Sequence, residues 1–155
     1  NNGLGVLLAG DGKGAFAPLW PAQSGILIPE DAKSVAVTDL DGDQLLDLAV
    51  AVNDGPMRTF IRSGGSAPFT VVLRGNKGNS RGIGARLSIT LSDGSRQTGE
   101  IRAGSGYLSQ SPALFTFTTA DDKISPTSIT VRWPDGSESV ASATGGERRF
   151  LIEKP

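Results

Sequence analysis

The chain has 155 residues, 37% hydrophobic and 20% charged, with a formal net charge of −1, enough for one sizeable core or two small ones in a globular, soluble protein. It contains no cysteine and no histidine, which excludes a disulfide framework, thiolate metal sites and Ser-His-Asp chemistry and removes the commonest general base and zinc ligand. No apolar run approaches the ~20 residues that span a bilayer, and no signal peptide opens the chain.

Twenty-one glycines and nine prolines, set among short runs of Val, Ile, Thr and Phe, predict many short strands joined by tight turns. No stretch holds a helical period for long. The sole methionine is Met57, so the chain is expected to be cut from a longer precursor. Near its start, Val6-Leu7-Leu8-Ala9-Gly10-Asp11-Gly12-Lys13-Gly14-Ala15-Phe16 aligns at an offset of 53 with Thr59-Phe60-Ile61-Arg62-Ser63-Gly64-Gly65-Ser66-Ala67-Pro68-Phe69. In both, an apolar strand runs into a Gly-rich turn that ends in Phe. An offset of this size is near the repeat length of propeller blades, and a blade cannot bury both faces without neighbours.

Between two predicted strands, Ser34 to Thr38 and Leu46 to Val52, lies Asp39-Leu40-Asp41-Gly42-Asp43-Gln44-Leu45-Leu46-Asp47. Four carboxylates at alternating spacing are repulsive unless a cation screens them. Calcium takes ~6–8 oxygen ligands, and a loop that doubles back aims alternate side chains and one carbonyl at a common centre. Asp39, Asp41, Asp43 and Asp47 would give carboxylates and Leu45 its carbonyl. An EF-hand is excluded, because its twelfth position, which requires a bidentate acid, is Val50 and the flanks are strands. Gln44 stands where such loops usually carry a Gly for positive φ, which predicts a weak site. The competing reading is a solvated acidic turn.

Charge is unevenly spread: eight acids and two bases over residues 1–54, two acids and eight bases over 55–102, six acids and five bases over 103–155. The basic middle holds Arg58, Arg62, Arg74, Lys77, Arg81, Arg86, Arg96 and Arg102. Solvated charge or internal pairing is favoured over a polyanion site, since no aromatics interleave with these residues. Gly75 to Gly82 superficially resembles a phosphate loop, but it lacks the Gly-Lys-Ser/Thr ending and reads as a mobile loop.

From Gly84 to Leu91 the inward set Ala85, Leu87, Ile89 and Leu91 alternates with Arg86, Ser88 and Thr90, the period of a half-buried strand. Asp93-Gly94 predicts a hairpin turn into Arg96 to Arg102. Gly104-Ser105-Gly106-Tyr107-Leu108-Ser109-Gln110 is not a nucleophile elbow; it reads as a turn in which Tyr107 packs its ring and its hydroxyl finds a partner. Thr127 to Trp133, the turn Pro134-Asp135-Gly136 and Ser137 to Ala141 form a second hairpin, and Arg148 to Ile152 supplies a closing strand. The expected product is a small antiparallel sandwich or barrel.

Two resemblances follow from these residues. Val35 to Phe69, with its Asp39-Leu40-Asp41-Gly42-Asp43 and Leu46-Asp47-Leu48-Ala49-Val50, resembles the FG-GAP or VCBS repeats of integrin-type β-propellers and bacterial surface proteins. Gly10 to Phe16 resembles the tail of a preceding repeat. That resemblance implies calcium on Asp39, Asp41, Asp43, Leu45 and Asp47. Gly82-Ile83-Gly84-Ala85-Arg86, Arg102 to Gln110 and Val131-Arg132-Trp133-Pro134-Asp135-Gly136 resemble in order the ASPIC/UnbV domain that closes cartilage acidic protein-like proteins behind FG-GAP repeats. Phe115 to Ala120 departs from it, since the family more often has a Gly-Leu-Gly turn there.

The expected architecture is all-β: an FG-GAP/VCBS-like fragment over residues 1–68 and an ASPIC/UnbV-like β domain over 69–155. The favoured function is a non-enzymatic, calcium-binding structural or adhesion module of a larger exported or cell-surface protein, in the extracellular space or periplasm. A protein or glycan partner is expected, without nucleic acid or membrane insertion, and an open blade edge predicts homodimerisation by strand addition. One alternative is a glycan-binding module with Trp20, Trp133 or Tyr107 as a stacking platform; buried tryptophans are the commoner outcome. The other is a glycoside hydrolase pairing Glu100 with Asp121 or Asp122.

Overall fold

Short apolar runs broken by Gly-rich turns give twelve strands and one four-residue helix in a computed structural model that describes residues 4–119, 121–143 and 145–155. The first three residues of the predicted 1–68 unit, and Ala120 of the stretch expected to depart from the family, lie outside those residues.

The N-terminal unit opens with β1 (Leu7–Gly10) and β2 (Phe16–Leu19), paired antiparallel. Their turn is closed by the Asp11 carboxylate, which accepts the N–H groups of Lys13 at 2.7 Å and Ala15 at 3.0 Å. A helix α1 (Pro21–Ser24) follows, ended by Gly25 at φ 71°. Then β3 (Ala32–Thr38), β4 (Asp47–Val52) and β5 (Arg58–Phe60) form an antiparallel meander.

The repeat offset aligns β2 with β6 (Phe69–Arg74), and each strand begins at its phenylalanine. Their partners differ. β6 does not extend the β3–β4–β5 sheet as a fourth strand; it runs between β12 (Arg149–Glu153) and β9 (Phe115–Phe117). The three-stranded sheet so made faces a four-stranded one in the order β11 (Glu138–Ser142), β10 (Pro126–Arg132), β7 (Arg86–Leu91), β8 (Arg96–Glu100).

The core sits between these two sheets. Phe69, Val71 and Leu73 from β6, Leu87, Ile89 and Leu91 from β7, Ile129 and Val131 from β10, and Phe150 and Ile152 from β12 are all buried in one cluster, with Trp133. Each is an alternate residue, as a sheet with one wet face demands. The predicted inward set of β7 is thus the buried set. Trp133 donates from Nε1 to Ser139 Oγ at 2.9 Å, and that hydroxyl donates to the Glu153 carbonyl at 2.9 Å, which ties the β10–β11 hairpin to β12.

Three expectations need correction. The closing strand forms, but β12 pairs with β6 in parallel rather than antiparallel, a pairing that needs a long crossover connection, here supplied by the chain through β7–β11. The loop Gly75–Gly82 is closed by its own hydrogen bonds, Gly75 N–H to Ser80 O at 3.0 Å and Gly82 N–H to Asn79 O at 3.1 Å, and is anchored by Asn79, whose side chain both donates to and accepts from the Ile83 backbone at 2.8 Å. Phe115 to Thr119, part of the stretch set apart from the family pattern and read as a loop, opens with the strand Phe115–Phe117, in which Phe117 stacks on Phe69 with centroids 5.2 Å apart.

Candidate metal centre

The acidic loop bridges two paired strands, since Thr38 and Asp47 are register partners at the end of the β3–β4 ladder. Its path is set by its own carboxylates. Asp39 accepts the N–H of Gly42 through Oδ1 at 2.7 Å and of Gln44 through Oδ2 at 3.0 Å. Asp41 accepts from Asp43 at 3.2 Å, and Asp43 from Leu45 at 2.7 Å, each through Oδ1. These are the local side-chain-to-backbone bonds that make Asp a turn residue. Two residues carry positive φ: Gly42 at 86° and Gln44 at 71°. Gln44 therefore adopts the left-handed conformation that a Gly would take without strain, at a cost of roughly 1–2 kcal/mol.

This path brings Asp39, Asp41 and Asp43 together. Each is exposed and offers a carboxylate oxygen, and the three oxygens lie within 4.8 Å of one another. The trio could hold a metal ion. All its donors are hard oxygens, the set that suits calcium or magnesium rather than a soft metal. Hydrogen bonds within the loop do not use up its donor capacity, because each ionised carboxylate has about four acceptor positions.

Asp47 is placed differently. It is fully buried, and its Oδ2 accepts from Leu40 N–H at 2.7 Å while Oδ1 accepts from Arg62 N–H at 2.8 Å. It does not belong to the trio that converges. The N–H groups of Leu40 and Arg62 hold its carboxyl below the usual aspartate value, against the desolvation that raises it. Leu45, the expected carbonyl donor, is buried under the same loop. The brace from Arg62, just after β5, is a contact that no local spacing signals.

A groove of about 200 Å³ runs beside the loop, lined by Asp39 and Gln44 on one side and by Thr70, Thr116 and Arg149 on the other. The loop therefore faces the sandwich. Val37 N–H also donates to Ser111 Oγ at 3.0 Å across this junction.

The other sequence candidates disperse. Trp133 is buried in the core, whereas Trp20 is 69% exposed. Tyr107 does not pack its ring as expected; it is 70% exposed, at the tip of a turn pinned by a Gly106–Ser109 bridge. Its ring borders a groove of about 430 Å³ lined chiefly by aliphatic residues, among them Val35, Leu48 and Val50. Glu100 lines the outer face of the four-stranded sheet, while Asp121 and Asp122 line a separate groove with Arg62 and Arg148. Glu100 and the Asp121–Asp122 pair therefore line different depressions. Of the basic middle, Arg58 pairs with Glu30, and Arg74 with Glu153 at 2.6 Å.

Against this geometry the comparisons can be set. The family described as ASPIC and UnbV matches residues 75–155, the stretch that holds six of the seven strands of the two facing sheets, all but β6. The chain is also similar to cartilage acidic protein 1 of Xenopus tropicalis, 30% identical over 122 residues that make up 76% of this chain and 18% of that protein. It therefore spans less than a fifth of the curated relative it matches.

Proposed function

We propose, because this chain belongs to the ASPIC and UnbV family, that it is a non-enzymatic structural or adhesion module in which a calcium-stabilised, FG-GAP/VCBS-like blade fragment is joined to the family's β-sandwich. The observation that carries the reading is the convergence of Asp39, Asp41 and Asp43 on one point of the β3–β4 loop. Asp47 supports it from beneath by fixing both ends of the loop. Calcium, when bound, would neutralise the trio and hold the strand connection, adding stability by linkage.

Two further observations favour a blade that meets other protein. Eleven of the fifteen large hydrophobic side chains left exposed lie between Leu4 and Ile61, and the β3–β4–β5 sheet stops at three strands because β6 is used elsewhere. A unit of this kind needs neighbours to cover its faces. The aliphatic lining beside Tyr107 suits such packing better than a sugar, which requires convergent polar groups. A loop with three exposed carboxylates and a strained Gln44 suits the weak affinities of ~10⁻⁴–10⁻³ M found in extracellular modules. A location at the cell surface, in the periplasm or in the extracellular space fits such a module, where calcium is abundant enough to fill a weak site. No described helix is long and apolar enough to cross a membrane.

Calorimetric titration of calcium into the metal-stripped chain tests the site. One saturable event that disappears in Asp41→Ala is expected; no heat, or heat unchanged by the substitution, would remove the loop as the binding site.

A further inference from the structure

The outward face of the four-stranded sheet carries an arrangement that fold stability does not explain. Register aligns Glu138 on β11 with Arg132 on β10, Arg132 with Arg86 on β7, and Arg86 with Glu100 on β8. One row across the sheet thus reads acid, base, base, acid. Like charges directly opposite each other on neighbouring strands are destabilising, and alternating signs would avoid the clash. Here the two guanidinium groups occupy the two central strands, and the acids sit on the edges.

The edge acids do not quench them. The ion pairs found among the described residues join Lys33 to Asp31, Arg58 to Glu30, Arg74 to Glu153 and Lys154 to Asp135. Neither Arg86 nor Arg132 takes part in one. Both, together with Arg102, line a shallow depression of about 530 Å³ whose floor includes Ser88 and Thr130 and whose rim includes Glu100 and Glu138. Register sets Thr130 opposite Ser88, and Ser88 opposite Thr98, in the next outward row. A guanidinium is a planar fork that matches an oxyanion, and two side by side around one oxyanion convert a repulsive pair into a bidentate clamp. The rim acids rule against a polyanion laid across the strands, because it would meet a carboxylate at either end. They suit instead a ligand with one anionic group surrounded by hydroxyls, which Glu100, Glu138, Ser88 and Thr130 can accept or donate to.

We propose that this face binds a small acidic sugar through one oxyanion held between Arg86 and Arg132. The site is distinct from the calcium loop and uses none of the exposed aromatic rings. Its oxyanion is a carboxylate or a sulfate, and the two are separable by experiment.

The test follows the Arg Nε–Hε resonances of the 155-residue chain during titration, at constant ionic strength, with glucuronate, glucose 6-sulfate and neutral glucose. Saturable shifts of Arg86 and Arg132 with at least one acidic sugar and not with glucose are expected, and the sugar that saturates identifies the oxyanion. Arg86→Gln and, independently, Arg132→Gln should each weaken that binding tenfold or more at unchanged melting temperature. Absence of saturation with both acidic sugars, equal shifts with glucose, or affinity unaltered in the folded variants would overturn the proposal.

Discussion

Asp41 and Asp47 are six residues apart, and their roles are opposite in kind. Asp41 belongs to the exposed trio and accepts one bond within its own loop, so on the proposed reading its value to the fold comes through a bound ion. Asp47 is buried and accepts two backbone N–H groups from different segments, so its value does not. Asp47→Ala leaves both donors without an acceptor and is expected to lower the melting temperature by several degrees, on the order of 5 °C, already in chelator and by at least as much in calcium. The loss should depend on pH. Because the folded carboxyl titrates below its unfolded value, the stabilisation is complete above the ordinary aspartate value of ~3.9 and disappears as pH falls through the folded value. Melts of both proteins at pH 7 and at acid pH check this: the gap between them should narrow in acid, and a widening gap would refute the assignment.

At the scale of elements, glycines mark where strands approach too closely for a side chain. Gly99 on β8 faces the ring of Phe115, which occupies the place a Cβ would take. Gly82 sits at φ 66° with Leu73 at 2.8 Å and Trp133 at 3.1 Å from where its Cβ would be. Gly99→Ala should therefore destabilise by about 1–3 kcal/mol through overpacking, read as a fall in urea midpoint; a neutral effect would mean that β9 does not lock onto β8.

The hairpins β7–β8 and β10–β11 were legible because period-2 alternation and the turns Asp93-Gly94 and Pro134-Asp135-Gly136 lie in contiguous sequence. The acidic loop was legible for the same reason, down to the positive φ at its sixth position. β6, the parallel pairing of β12 and the brace from Arg62 to Asp47 were not, since each depends on partners tens of residues away. Tyr107 misled because ring burial is an average tendency, and here the residue lies in the short turn between the bridged Gly106 and Ser109 with its ring exposed.

The whole molecule joins two units of unequal self-sufficiency. The main buried cluster draws every member from Phe69 to Ile152, while the first unit, among its described residues, buries only Ile28, Leu45, Asp47, Val50 and Pro68. Residues 69–155 alone are expected to show cooperative unfolding and dispersed amide resonances, and residues 1–68 alone to show neither; a stably folded 1–68 fragment would contradict the view that this unit needs neighbours. Its open β5 edge and exposed apolar face also predict a concentration-dependent dimer by light scattering, and a strictly monomeric mass at high concentration would oppose it. The central claim is that calcium stabilises this arrangement through Asp39, Asp41 and Asp43. The most direct measurement is a paired thermal melt of the wild-type chain and Asp41→Ala, each in ~10 mM calcium and in chelator. With calcium at ~10–100 times a weak dissociation constant, linkage gives about 1.4–2.7 kcal/mol, a rise of about 3–10 °C for the wild-type chain and little for the variant. Equal melting temperatures with and without calcium, or an equal loss on substitution in both buffers, would contradict the account.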